Sequence, residues 1–164
     1  MNTAQSILKF VNVDILFQEI PNEVSLGVSI SGCPNKCKGC HSSYLMGDVG
    51  EPLDIHKLKQ ILDNYKDSIT NVLFMGGDHI PNQLILLFIF ITSQYPKLKI
   101  SLYSGKQEIN KRFAPYLSYY KVGPWIEKCG PLSNPNTNQK LYKIVPSENG
   151  KTRNFENITH LFWK

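Results

Sequence analysis

Val24-Ser25-Leu26-Gly27-Val28-Ser29-Ile30 runs directly into Ser31-Gly32-Cys33-Pro34-Asn35-Lys36-Cys37-Lys38-Gly39-Cys40. The first stretch alternates apolar and small residues, the period of a strand with one packed face and one face of small side chains. A small-residue face leaves room beside the sheet for a ligand. The second stretch sets three cysteines in one loop with the spacing C-x3-C-x2-C. Clustered thiolates are the usual sequence sign of an iron–sulfur cluster. Three of them hold three irons of a cubane and leave the fourth iron open to a small molecule. That arrangement points to a redox enzyme ahead of a structural metal module. A zinc site using these cysteines with His41 or Cys129 stays open at this stage, although zinc ligands usually come from two separated knuckles.

Downstream, Asp54 is placed to cap a helix from Ile55 to about Lys66, with Ile55, Leu58, Ile61, Leu62 and Tyr65 on one apolar stripe. Val72-Leu73-Phe74-Met75 is a continuous apolar run, as in buried parallel strands, and ends in Gly76-Gly77-Asp78. Pro81 suits the start of the next helix, which carries Leu84 to Tyr95 and is ended by Pro96. Leu98 to Tyr103 alternates as a third strand and stops at Ser104-Gly105. A short helix is expected near Gln107 to Phe113 and a strand at Tyr119 to Val122. Gly123 to Asn138 reads as a structured loop, Leu141 to Val145 as a late strand, and Ile158 to Trp163 as a short terminal element.

Strand, helix, strand, helix, strand predicts an α/β fold with a mainly parallel sheet. Right-handed crossovers bring the strand C-termini to one rim. The cysteine loop, Gly76-Gly77-Asp78 and Ser104-Gly105 are therefore expected to meet there, where α/β folds build their sites. The chain is short for an eight-unit barrel, so an open, partial β/α barrel is the expected form.

With 164 residues, 41% hydrophobic and 19% charged, residues 1–164 are expected to form a single domain with a real core. The net charge is +5 and the pI about 9.0. The basic residues are scattered, which argues for a solvated surface or attraction to a small acidic electron carrier, and against nucleic acid. Met1 to Phe10 shows no signal peptide, and the apolar run Leu84 to Ile91 is too short to span a bilayer. Three cysteines in one loop with Cys129 remote suit metal binding in a reducing cytoplasm better than a disulfide framework. The expectation is a cytoplasmic protein with no membrane contact.

The cysteine spacing, its place after the first core strand and the later glycine-rich acidic motif together resemble the radical S-adenosylmethionine superfamily. The resemblance implies that Cys33, Cys37 and Cys40 ligate a 4Fe-4S cluster. It also implies that S-adenosylmethionine chelates the open iron and is cleaved reductively to a hydrogen-abstracting radical. Gly76-Gly77-Asp78 is similar to the superfamily's Gly-Gly-Glu motif, which binds the methionine ammonium, with Asp in place of Glu. Many members carry an aromatic residue before the third cysteine, against adenine; here that residue is Gly39, and adenine is expected to meet backbone around Gly39 to His41. His41 itself reads either as a loop residue or as a contact near adenine. Ser104 is expected to touch ribose or carboxylate, and Lys121 the methionine carboxylate; the alternative for both is a solvated strand end.

Thr137-Asn138-Gln139-Lys140 and Tyr120-Lys121-Val122-Gly123-Pro124-Trp125 resemble segments of anaerobic ribonucleoside-triphosphate reductase activating proteins. The resemblance spans roughly Val24 to Lys164. It implies an oxidoreductase that installs a glycyl radical on the large subunit of that reductase, with an electron donor such as flavodoxin. Rival readings are an activase of the pyruvate formate-lyase type, a small-molecule enzyme of the deazaguanine-forming type, and a non-catalytic zinc- or cluster-binding module. Cys129 is expected to be a spare thiol.

Overall fold

The computed structural model describes residues 7–40 and 42–163. Its strands are β1 (Lys9–Leu16), β2 (Ser25–Ile30), β3 (Glu51–Pro52), β4 (Asn71–Met75), β5 (Lys99–Tyr103), β6 (Tyr119–Val122), β7 (Lys140–Pro146) and β8 (Arg153–Asn157), and its α-helices are α1 (Ile55–Tyr65) and α2 (Pro81–Gln94). The strands form one sheet in the order β3-β1-β2-β4-β5-β6-β7-β8. The sheet is mixed. The central strands β2, β4, β5 and β6 pair parallel. β1 and β3 at one end, and β7 and β8 at the other, join antiparallel. α1 lies on the crossover from β2 to β4, and α2 on that from β4 to β5. Among the described residues no helix is long and apolar enough to cross a membrane.

The two faces of the central strands have different jobs. Val28, Ile30, Val72, Phe74, Ile100, Leu102, Tyr120 and Val122 pack in one core with Leu58 and Leu62 of α1 and Leu84, Phe88 and Ile91 of α2. The alternate residues face away from the helices, as the strand period of two requires. On that side Leu73, Tyr119 and Leu141 join Ile20 and Leu132 in a second, smaller core. β2 contributes Ser25, Gly27 and Ser29 there, the small-residue face legible in its sequence. A Cβ at Gly27 would lie 2.5 Å from Leu16 Cδ1, so the side chain of Leu16, from the neighbouring strand β1, covers this position.

Polar groups buried along the sheet are paired. Asn71 donates to Ser25 Oγ at 2.9 Å and accepts from Ser101 Oγ at 2.7 Å, linking β2, β4 and β5. Glu23, nearly buried, takes hydrogen bonds from the Lys99 ammonium and the Thr70 and Tyr119 hydroxyls. These pairings satisfy groups that burial alone makes costly.

Asp54 caps α1: its side chain accepts from Lys57 N at 2.8 Å. Asp54→Ala is expected to cost about 1 kcal/mol, read as a lower denaturant midpoint. An unchanged midpoint would show that the cap contributes nothing. The helix expected near Gln107 to Phe113 is absent, and turns occupy residues 111–116. Asn110 starts them, its side chain accepting from Arg112 N and its carbonyl from Phe113 N. Pro115 then disfavours helical backbone at Ala114, so the turn cannot grow into a helix.

Candidate metal centre

Strand register decides which side chains meet at the rim. Ser29 pairs with Met75, Met75 with Tyr103, and Tyr103 with Lys121. These four stand in one row across the parallel strands and share a face. Met75, Tyr103 and Lys121 line a cavity of about 190 Å³. Cys33, Cys37 and Cys40 form the wall contributed by the loop after β2. Gly76 adds the end of β4, Ser104 and Gly105 the end of β5, and Trp125 and Gln139 the segment between β6 and β7. The convergence of strand-end loops expected from the sequence is therefore present.

The cysteine loop is closed at its base. Gly32 N–H donates to the Gly47 carbonyl at 3.0 Å and Cys33 N–H to the Leu45 carbonyl at 2.9 Å. The short 3-10 helix Ser43–Met46 thus returns the chain beside its entry. Within the loop, Lys36 and Gly39 take left-handed backbone, with φ of 48° and 74°. A Cβ at Gly39 would lie 3.5 Å from Trp125 Nε1, so the residue before the third cysteine opens toward an indole from another loop. All three thiols are free and half-buried.

Among the described residues no three His, Cys, Asp or Glu side chains converge enough to share a single metal ion. A cubane takes one thiolate per iron, so thiols spread around a cavity fit it without meeting at a point. Cys129 is not on this wall; it lies in the turn where its N–H donates to the Ile126 carbonyl at 2.9 Å. The donor set thus fits a cluster held by Cys33, Cys37 and Cys40, whose soft thiolates suit iron–sulfur chemistry.

The Gly76-Gly77-Asp78 segment divides its roles. Gly76, at φ 95°, lines the cavity, and its N–H donates to the Tyr103 carbonyl at 2.9 Å. Gly77 faces the core: a Cβ there would meet Leu84, Leu8 and Ile30 at 3.3, 3.5 and 3.6 Å. Asp78 is buried and is not a lining residue. Its carboxylate accepts from the Ser104 hydroxyl at 2.7 Å, with the Lys106 ammonium 3.9 Å away. Ser104 Oγ in turn accepts from Lys106 N at 3.0 Å. Asp78 and Ser104 therefore tie the β4 and β5 loops together. Burial lowers the pKa of the adjacent His79, against the raising effect of Asp78. His41 lies outside the described residues.

Among the described residues, Lys121 is the one ammonium that lines the cavity, and no carboxylate lines it. It sits over the Tyr103 ring, 4.3 Å from the centroid. Loss of water lowers its pKa to about 8, although Glu19 and Cys40 act in the other direction. Tyr103 donates its hydroxyl to the Glu19 carbonyl, and burial raises its pKa well above 10. In the metal-free chain an unfolded lysine keeps its proton to about pH 10.4, so from about pH 8 upward the unfolded state binds more protons and folding stability rises with pH. The denaturation midpoint is expected to climb between about pH 8 and pH 9.5, and Lys121→Met to flatten that climb. Equal slopes in both proteins would contradict the assignment.

Asn35, Tyr103, Trp125 and Gln139 are lining residues that the sequence did not single out as site residues. Gln139 and Trp125 do fall in the two segments that carry the activating-protein resemblance.

A family model described as a 4Fe-4S single cluster domain matches residues 24–123. The matched segment begins just before β2, contains all three loop cysteines and ends just after β6, so it encloses the parallel centre of the sheet. Searches of curated proteins and of solved structures gave no match. A cysteine loop whose three thiols share one cavity, within a match covering more than half of the sequence, places this chain in the 4Fe-4S single cluster domain family.

Proposed function

We propose that the chain is a radical S-adenosylmethionine activase on a partial, open β/α barrel, and that its target is a glycine of anaerobic ribonucleoside-triphosphate reductase. One observation carries this reading. The three cysteine thiols, the Gly76 backbone and the Lys121 ammonium all open onto the same cavity. A cluster held by Cys33, Cys37 and Cys40 would, when bound and reduced, supply the electron for reductive cleavage of S-adenosylmethionine and so the hydrogen abstraction from the glycine.

The chain's own residues bind and orient. Gly76, lacking a side chain, lets the methionine end approach the sheet closely. Lys121 offers positive charge to the methionine carboxylate from a half-buried wall, where little water screens it. Trp125 and Gly39 offer a flat apolar surface next to a bare stretch of backbone, which suits adenine. Asp78 and Ser104 keep the β4 and β5 loops in register, so their contribution is to hold Gly76 in place. The net charge of +5 favours an acidic electron donor such as flavodoxin.

Electron paramagnetic resonance of the purified reductase large subunit, mixed anaerobically with reconstituted activase, reductant and S-adenosylmethionine, tests the reading. A glycyl-radical signal that disappears with the Cys37→Ala activase is expected. S-adenosylmethionine cleavage without a signal on this reductase would redirect the partner to another glycyl-radical enzyme, of the pyruvate formate-lyase type. A non-catalytic cluster-binding module is compatible with the same family match, and it predicts a stable cluster with no cleavage at all.

A further inference from the structure

We propose that Asn35 is a positioning residue for the cluster, clamping the middle of the cysteine loop onto the turn after β5. This rests on membership of the 4Fe-4S family and not on the proposed activase function. Asn35 lies between Cys33 and Cys37 on the cavity wall. Its side-chain amide donates to the Gly105 carbonyl, from a residue 70 positions away in sequence. At its start the loop is tied by Cys33 N–H to the Leu45 carbonyl at 2.9 Å, and near its end by the local bond from Cys40 N–H to the Cys37 carbonyl at 3.3 Å; the Asn35 bond is the tie that reaches from its middle to another strand end.

The partner position is shaped to receive this amide. A Cβ at Gly105 would clash with the Asn35 amide nitrogen and lie 3.1 Å from Asn35 Cγ. Gly105 is not among the glycines with positive φ. Its backbone is therefore open to any residue, and what its bare Cα provides is space for the Asn35 side chain. The anchor is itself held. Lys106 N–H donates to Ser104 Oγ, Ser104 donates to Asp78, and Gly123 N–H donates to the Lys106 carbonyl at 2.7 Å. The clamp thus fastens the loop to a point already tied to the ends of β4 and β6.

Three ligands on one short loop are released together if the loop opens, so a tie at its midpoint slows the loss of all three. Residues that orient metal ligands typically change metal affinity by 10–100-fold when removed. Asn35→Ala is therefore expected to lose iron to a chelator about tenfold faster than the native chain after anaerobic reconstitution. Gly105→Ala is expected to do the same from the opposite side, by displacing the amide. The double variant is expected to lose iron no faster than Asn35→Ala, because the added methyl group then meets only the Cβ of residue 35, at an ordinary contact distance of 3.7 Å. Such non-additivity marks one shared contact.

Denaturation of the metal-free variants is expected to show midpoints near the native one, which separates loop positioning from general loss of fold. Native rates of iron loss in both single variants would overturn the proposal, as would rate effects that multiply in the double variant. If Asn35→Ala fails to load iron, Gly105→Ala still decides: accelerated loss supports the clamp and a native rate overturns it. Because the readout is iron retention, failure to cleave S-adenosylmethionine would leave this test unaffected.

Discussion

Cys33→Ala, Cys37→Ala and Cys40→Ala are each expected to abolish the cluster. The three thiols occupy the wall of one cavity, and no fourth cysteine stands on that wall to replace a lost ligand. A cubane already held by three thiolates is left with two, and the newly open iron faces water. Iron and sulfide bound after anaerobic reconstitution should fall close to background, and the broad visible absorption of the cluster should vanish with them. Cys129→Ala is expected to keep native iron content, because Cys129 lies in the turn after Ile126, away from the cavity. Full iron content in any of the three loop variants would remove that cysteine from the ligand set. Loss of iron in Cys129→Ala would add a ligand that the geometry does not provide.

The second large effect belongs to the core beneath the site. Phe88 of α2 is fully buried. Its ring meets Phe74 of β4 edge-on at 5.4 Å and Phe113 at 5.9 Å, with Tyr116 at 6.1 Å. Phe88→Ala removes the side chain around which these rings pack, and the surrounding strands cannot collapse fully into the space. The expected cost is about 3–5 kcal/mol, against a typical total stability of about 5–15 kcal/mol. Phe88→Leu keeps most of the volume and is expected to cost clearly less. Urea unfolding of the metal-free chain measures both. A Phe88→Ala cost below about 1 kcal/mol would show that this aromatic cluster does not hold α2 to the sheet. The site shares the consequence, because the Gly76 to Ile80 segment is held between β4 on one side and α2 on the other.

Those parts of the fold that announce themselves by local pattern were legible in the sequence. β2 showed strict alternation, β4 a continuous apolar run, and α1 an Asp cap ahead of an apolar stripe; all three appear within a residue or so of the expected bounds. β1 carries a strand signal too, with Val11, Val13 and Ile15 alternating with Asn12 and Asp14, although the strands expected from the sequence begin at Val24. β8 had no such signal: Arg153-Asn154-Phe155-Glu156-Asn157 is polar, and it is a strand because β7 offers it an edge to pair with. The missing helix near Gln107 was decided by Asn110 and Pro115, turn chemistry that outweighed the residues between them.

The site was legible to a similar depth. Spacing singles out Cys33, Cys37 and Cys40, Gly76 follows a strand in a glycine-rich motif, and Ser104 and Lys121 were candidates through the resemblance to the radical S-adenosylmethionine superfamily. The structure puts all six on one wall or another of the cavity. Gly77 and Asp78 share a motif with Gly76, yet one faces the apolar core and the other binds Ser104. Sequence adjacency cannot separate those directions, because consecutive residues with left-handed backbone turn their neighbours toward different surroundings. Asn35 and Tyr103 were hidden for a different reason. Their roles depend on Gly105 and on the register of β5 against β6, contacts made between distant parts of the chain.

The proposed function requires a cluster in this rim cavity that cleaves S-adenosylmethionine. Its most direct test is anaerobic reconstitution with iron and sulfide, reduction with dithionite, and assay for 5′-deoxyadenosine after S-adenosylmethionine is added. 5′-Deoxyadenosine is expected from the native chain and from Cys129→Ala, and none from Cys33→Ala, Cys37→Ala or Cys40→Ala. A fully loaded, reducible cluster that binds S-adenosylmethionine yet yields no 5′-deoxyadenosine, with or without the reductase subunit present, would contradict it.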